Sequence, residues 1–484
     1  MNKKLVGLIL FLTTVTVVLS GGTPEIAASE FEEWRRTRQK QFDSFRNERD
    51  RQFHKFLKKR WEKMEVLRGK VEDTAPKPVE QPAAKEKEEP EPVKIKEETK
   101  TEVLKIDLQP GIKPDTTAVF ERAASGEIEV DYFGHQLTFK VDEQVFSSLE
   151  LSSANREGIA DFWRDFSAIE LKQLISRLEE TKGKLDLDGW GYMLLVDSLS
   201  DRLVNSKNLS RLVSWGLLLK SGYRVRTAYD GNGRIYLLYN YSDPLYQLPF
   251  FNLDGQRYYV FNPPGEGIKS LNTYPGKHAA VAREITIDLN KIPAAGGERV
   301  EQHLEFDYQG RSYSIPASYC AEAVAYMKKL PQLSLARYFE LSVASGLGPE
   351  MLETLEEKIR PLSYSEAVDF LLAFVQKGFD YKTDQHQFGR EQYMLPAESL
   401  YFPYSDCDDR AIFFSWLVRS LLKEEVYGLD YPGHAATAVE FPDPTGSYLT
   451  VNGRDFVIAD PTYVNASAGM VMPRFSGMNP RLLP

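Results

Sequence analysis

Cys407, His434 and Asp460 follow one another as thiol, imidazole and carboxylate, each at the edge of a hydrophobic segment. A thiol attacks carbonyl carbon as its thiolate; an imidazole can take the proton and return it to a leaving amine, and a carboxylate can hold that imidazole in the useful tautomer. Around the thiol, FPYSDCDDRAIFFSWLVRSLL from Phe402 places Ile412, Phe413, Trp416, Leu417 and Leu421 at helical spacing. This predicts a buried helix from about Asp408 with Cys407 at its N-terminal end. There the unpaired backbone donors and the helix dipole favour thiolate, and the Cys407 N–H can face a developing oxyanion. His434, in YPGHAATAVEF, opens an apolar strand after a Pro-Gly turn, and Asp460, in FVIADPTY, ends the next one. Antiparallel pairing of those strands would bring carboxylate and imidazole together. Alone, the histidine and the aspartate are ordinary turn residues, so the specificity lies in the three together.

The elements that must position these groups occur twice. VDYFGHQLTFKV from Val130 is echoed by FDYQGRSYSIPA from Phe306, and RLVSWGLLLKSGYRVRTAYDGNGRIYLLY from Arg211 by RAIFFSWLVRSLLKEEVYGLDYPGHAATAV from Arg410. GQRYYVFNPP from Gly255 is echoed by GRDFVIADPT from Gly453. Conserved order and separation predict two copies of one α+β unit, over residues 125–270 and 300–475. The first copy has Asn208 near the position of Cys407, Gly233-Arg234 for Gly433-His434 and Asn262-Pro263 for Asp460-Pro461. It lacks all three chemical groups, so it is expected to keep the fold without the chemistry.

A chain of 484 residues is long enough for several units, and a net charge of −10 argues against a general nucleic-acid binder. Lys3 and Lys4 precede an apolar run from Leu5 to Ser20 and then small residues, the layout of an export leader over residues 1–28. Cleavage is expected, with an uncleaved membrane anchor as the alternative; the mature protein is then periplasmic or secreted. Phe31, Phe42, Phe53 and Met64, with Trp34, Phe45, Phe56 and Leu67, recur at a step of 11 residues. That period fits a helical stalk over residues 29–72 that could self-associate, or else an amphipathic helix lying on a surface. Residues 73–103, rich in Pro, Glu and Lys, are expected to be a linker with almost nothing to bury. The only cysteines are Cys320 and Cys407. They could pair in an oxidising compartment, although the context of Cys320, SYCAEAVAYMKKL, suits a buried helix cysteine.

A Cys at a helix start, a His on the next strand and an Asp before Pro-Thr on the strand after resembles the transglutaminase-like superfamily of papain-like thiol hydrolases. The resemblance is closest to bacterial and archaeal transglutaminase-like cysteine peptidases, through FVQKGFDYKTD from Phe374, MLPAESLYF from Met394, SDCDDRAIFFSWL from Ser405 and YPGHAATAV from Tyr431. Ser405 and Asp408 depart from the family's usual Gly-Asp-Cys-Glu-Asp. The resemblance implies two tandem transglutaminase/papain-like domains, the first degenerate, and cleavage of a peptide or amide in a protein or peptide substrate. Transamidation is the nearest alternative, and a non-catalytic envelope scaffold the alternative of another class. It further implies Gln376 as an oxyanion-hole donor, with Tyr381 and Tyr404 as further candidates. No organic cofactor is required. Asp406, Asp408 and Asp409 would repel a thiolate beside them. Capping and salt-bridging to Arg410 or elsewhere would account for them; relatives of this fold suggest instead a Ca²⁺ site using Asp406 and Asp408.

Overall fold

The computed structural model describes residues 24–59, 61–69, 76–84, 94–95, 126–264, 267–276, 282–293, 297–342 and 344–484. The apolar run of the expected leader lies outside these residues. Among them, no helix is long and apolar enough to cross a membrane. The chain divides into a unit ending at Phe56 and a unit from Leu57 to Pro484. The first is built on the helix Pro24–Leu57, in which Phe53 and Phe56 stack with ring centroids 6.0 Å apart.

The expected stalk does not continue to residue 72. Glu62–Glu65 is a strand paired antiparallel with Ser270–Thr273, and Leu67 exchanges backbone hydrogen bonds of 2.9 Å with Phe250. Met64 fits the 11-residue helical seam and, with Val66, an alternating strand equally well. Long-range backbone pairing at a sheet edge decides the matter.

The larger unit mixes helix and sheet, in agreement with an α+β class. One six-stranded sheet runs in the order Glu62–Glu65, Ser270–Thr273, Val225–Tyr229, Ile235–Asn240, Gln256–Val260, Phe250–Leu253. The other runs Arg481–Leu483, Val426–Tyr431, His434–Glu440, Arg454–Ala459, Tyr448–Val451, Lys94–Ile95. The run Val225–Tyr229, Ile235–Asn240, Gln256–Val260, Phe250–Leu253 thus has the same antiparallel order as Val426–Tyr431, His434–Glu440, Arg454–Ala459, Tyr448–Val451. A buried helix precedes each set, Lys207–Lys220 and Cys407–Leu421, and each half carries a two-stranded hairpin further upstream.

The turns match as well. Phe133-Gly134 and Gln309-Gly310 both hold positive φ (48° and 83°; 48° and 71°), as do Asp254-Gly255 (52° and 74°) and Asn452-Gly453 (52° and 79°). Two successive left-handed residues twist a two-residue hairpin in the sense of its strands.

The second sheet is built to present its strand mouths. Leu429, Ala438, Phe456 and Ile458 bury one face with Tyr463, Met472 and Phe475 from the chain that follows. Helix Cys407–Leu421 packs on Val426–Tyr431 and His434–Glu440, and its Ile412, Phe413, Phe414, Trp416, Leu417 and Val418 are all buried. A helix apolar on every side is one that is covered on every side. It also packs on Tyr364–Lys377, which starts in a capping box between Ser363 and Glu366.

Candidate active site

Cys407 is the first residue of its helix, one position earlier than the apolar spacing indicates, and it is fully buried. The first-turn N–H groups of a helix have no intrahelical acceptors, so the helix aims positive charge at the sulfur. Pro432 and Gly433, the latter at φ +73°, form the turn that pairs Tyr431 with His434 and makes His434 the first residue of its strand. The next N–H, that of Ala435, favours the ionised form of the Cys407 thiol. Asp460 directly follows the neighbouring strand Arg454–Ala459, which pairs with His434–Glu440.

His434 Nε2 and Asp460 Oδ2 are 2.8 Å apart and both residues are buried. Asp460 divides its two oxygens. Oδ2 faces the imidazole, and Oδ1 accepts from the N–H groups of Thr462 (2.9 Å) and Tyr463 (3.2 Å). His434 Nδ1 is buried without a hydrogen-bond partner, and His434 and Cys407 line one pocket. Phe475, from the C-terminal segment, stacks on the imidazole at 5.0 Å and 9°. The ring is therefore fixed by a carboxylate at one edge and by an aromatic face. No sequence signal distinguishes Phe475 from any other apolar residue of the tail.

Gln376 does not have the free amide expected of an oxyanion donor. Its Nε2 donates to the carbonyls of Asp460 and Ala466, both at 3.0 Å, which uses both amide hydrogens. It fixes the loop that carries Asp460 instead. Tyr381 lies within electrostatic reach of Cys407, and its hydroxyl donates to Pro78 O at 2.7 Å. Tyr404 is half-buried, packs under the Lys382 ammonium, and is not among the residues lining the pocket. Cys320 ends a strand rather than sitting within a helix; its Sγ donates to Glu322 Oε2 at 3.4 Å, and neither cysteine is in a disulfide.

The acidic residues flanking the thiol are compensated from a direction the sequence does not indicate. Arg410 donates to Ser405 Oγ (3.1 Å), Gln376 O (3.1 Å) and Phe379 O (2.6 Å), so the expected ion pair to the aspartates is replaced by contacts to neutral oxygens. The cation that meets them is Lys77. Its Nζ lies 3.1 Å from Asp406 Oδ2 and 2.5 Å from Asp408 Oδ2, and it also contacts Glu391 Oε1. Residues 76–84, expected as linker, are thus docked on this unit. Asp409 caps the helix, accepting from Asp406 N (3.1 Å) and Met394 N (2.8 Å).

Burial pushes the Cys407 thiol well above its ordinary range; Lys77 opposes the rise and Asp406 and Asp408 add to it. The helix dipole expected to yield thiolate is outweighed in this arrangement, because desolvation penalises the charged form of a fully buried group. Burial and Asp408 likewise push Asp406 up to about 8 against the pull of Lys77, and burial with neighbouring carboxylates raises Asp384 and Asp409. Ligand oxygens of Asp384, Asp406 and Asp409, and of Asp384, Glu391 and Asp408, lie within 4.8 Å of one another, and Asp406 Oδ1 is buried without a hydrogen-bond partner. An all-oxygen donor set of this kind fits a hard divalent cation such as Ca²⁺. The Lys77 ammonium now stands between two of the same carboxylates.

In the first half of the chain, Asn208 stands one residue into the corresponding helix. Its Nδ2 donates to Gly233 O (2.8 Å), and its Oδ1 accepts from Ile235 N (3.0 Å). The Ile235 N–H corresponds to that of Ala435, so an amide holds the place that sulfur holds in the second half.

Comparison of the chain with protein-family models, with curated proteins and with solved structures finds no match.

Proposed function

We propose that the protein is a transglutaminase-like thiol hydrolase whose site is Cys407, His434 and Asp460. The observation that carries this reading is the orientation of the imidazole. Nε2 is held by Asp460 at 2.8 Å, Nδ1 is buried without a hydrogen-bond partner, and His434 and Cys407 line the same pocket. With the proton on Nε2, Nδ1 is the basic nitrogen. It takes the Cys407 proton as sulfur attacks a peptide or side-chain amide carbon, and gives that proton to the departing amine. Water then cleaves the thioester and restores the thiol. The N–H of Cys407 is the donor this reading gives the oxyanion, since that of Asp409 donates to Asp408 Oδ1 at 2.8 Å.

The matching strand order, the paired hairpin turns and the Asn208 substitution support tandem copies of one unit, the first without chemistry. Calcium, if bound, would be held by Asp384 with Asp406 and Asp409, or by Asp384 with Glu391 and Asp408, so that Asp406 and Asp408 fall in separate oxygen groups, and it would offset their negative charge beside the thiol. Activity that survives chelation unchanged would remove it. A leader at residues 1–28 would export the enzyme from the cytoplasm, and the N-terminal helix is a candidate for anchoring or self-association. The test of the reading is time-resolved alkylation of Cys407: His434→Ala must slow it, and a rate indifferent to that change would leave the scaffold alternative.

A further inference from the structure

The acidic wall of the thiol pocket is filled by a piece of the same chain. Residues 76–84 cross the second half, fastened by Tyr381 Oη to Pro78 O (2.7 Å), Gln81 Nε2 to Gln376 O (2.8 Å), Val464 N to Pro82 O (2.9 Å) and Ala84 N to Val464 O (2.8 Å). From this strap the Lys77 side chain, only 8% exposed, reaches the pocket that Cys407 and His434 line.

The seat it finds matches its chemistry. An ammonium carries three N–H donors about one compact charge, and here one carboxylate each from Glu391, Asp406 and Asp408 meets it. A guanidinium would instead present a flat fork, best matched by both oxygens of a single carboxylate. The seat has acceptor capacity beyond what Lys77 uses, since Asp406 Oδ1 is fully buried with no hydrogen-bond partner. Two of the three carboxylates flank the nucleophile in sequence. Whatever fills this seat therefore lies within electrostatic reach of Cys407.

We propose that Glu391, Asp406 and Asp408 form a subsite for a primary alkylammonium, that the substrate of the thiol site is a peptide placing a lysine-type side chain there, and that Lys77 occupies the subsite in cis. The word substrate rests on the thiol-hydrolase reading; the binding of an ammonium does not. A tethered occupant competes at an effective concentration on the order of millimolar, so the strap also sets a threshold that substrate must exceed.

The test uses the full chain carrying Lys77→Ala and reads thermal unfolding. n-Butylammonium chloride and Nα-acetyl-lysine methylamide are compared with n-butanol and Nα-acetyl-norleucine methylamide at constant ionic strength. The ammonium probes are expected to raise the midpoint of Lys77→Ala saturably, by roughly 2 °C or more at several times Kd, and to leave the wild type unmoved. Adding Asp408→Asn to Lys77→Ala should abolish the response. Equal effects of the neutral probes, no effect of the ammonium probes, or stabilisation by Ca²⁺ alone would overturn the proposal. Should Lys77→Ala not fold unaided, its refolding yield with butylammonium against butanol gives the same two outcomes. None of these readouts uses the chemistry of Cys407, so failure here leaves the thiol hydrolase standing, and an inert thiol leaves the ammonium subsite standing.

Discussion

Asp460→Asn separates the two tasks the carboxylate performs. One oxygen of Asp460 serves the imidazole, while the other accepts from Thr462 N at 2.9 Å and Tyr463 N at 3.2 Å. An amide has only one acceptor oxygen for both. Turning it to the imidazole orphans two buried N–H groups, at about 1–3 kcal/mol each, whereas keeping it on the loop forgoes one hydrogen bond worth about 1 kcal/mol. The loop wins, and the NH₂ group then faces His434 Nε2. That nitrogen must become the acceptor, which moves the imidazole proton to Nδ1 and removes the base from the pocket. The fold should therefore survive, with stability lowered by no more than about 1–2 kcal/mol, while Cys407-dependent turnover or alkylation falls roughly 10²- to 10⁴-fold. Thermal melts report the first quantity, alkylation kinetics followed by intact mass the second, and imidazole ¹⁵N shifts the tautomer. A variant that keeps the wild-type alkylation rate with the proton on Nδ1 would refute the reasoning.

Gln376→Ala frees two buried carbonyls, Asp460 O and Ala466 O, and should cost about 1–3 kcal/mol while loosening the Asp460 loop. Its alkylation rate should fall with stability, and a stability loss with unchanged reactivity would separate Gln376 from the site. The carboxylate cluster predicts a pH dependence of folding. Burial and Asp408 push the Asp406 carboxyl up to about 8, against Lys77, in a setting shared by Asp384, Glu391, Asp409, Tyr381 and Arg410. Between the ordinary carboxylate range and about pH 8 the folded chain holds a proton that the unfolded chain has released. Stability is then fully present below that range and declines as pH rises, by about 1.4 kcal/mol per unit for each such carboxyl, levelling above the raised pKa. Urea midpoints at several pH values should show this decline, shallower in Asp406→Asn; an identical profile in that variant would contradict it.

The placing of Cys407, His434 and Asp460 was readable because each stands at a boundary that local sequence marks. Apolar spacing brackets the helix behind Cys407, Pro432-Gly433 marks the turn before His434, and Asp460-Pro461 marks the strand end. Pairing of adjacent strands then does the rest, bringing Asp460 to His434 from 26 residues away. Lys77 was not readable. Its surroundings have the composition of a solvated linker, and its partners Asp406 and Asp408 are 329 and 331 residues distant. Neither composition nor periodicity encodes a contact of that range. The end of the N-terminal helix at Leu57 was hidden for a related reason, since Met64 satisfies a helical seam until a sheet edge offers its backbone a partner. Gln376 was expected only as an oxyanion donor implied by resemblance, and a single sequence cannot tell which acceptors its amide finds.

The most direct test of the central claim is alkylation of the folded protein by millimolar iodoacetamide near neutral pH, sampled by intact and peptide mass for the wild type, His434→Ala and Asp460→Asn. Because the substitutions also change local stability, each rate is divided by the local opening equilibrium measured by hydrogen exchange in the same protein, and the corrected ratios report activation of the thiol. The account predicts that both substitutions slow Cys407 at least roughly tenfold while Cys320 is unaffected. Equal Cys407 rates in all three proteins would contradict it, leaving a buried cysteine beside a histidine that does no work for it.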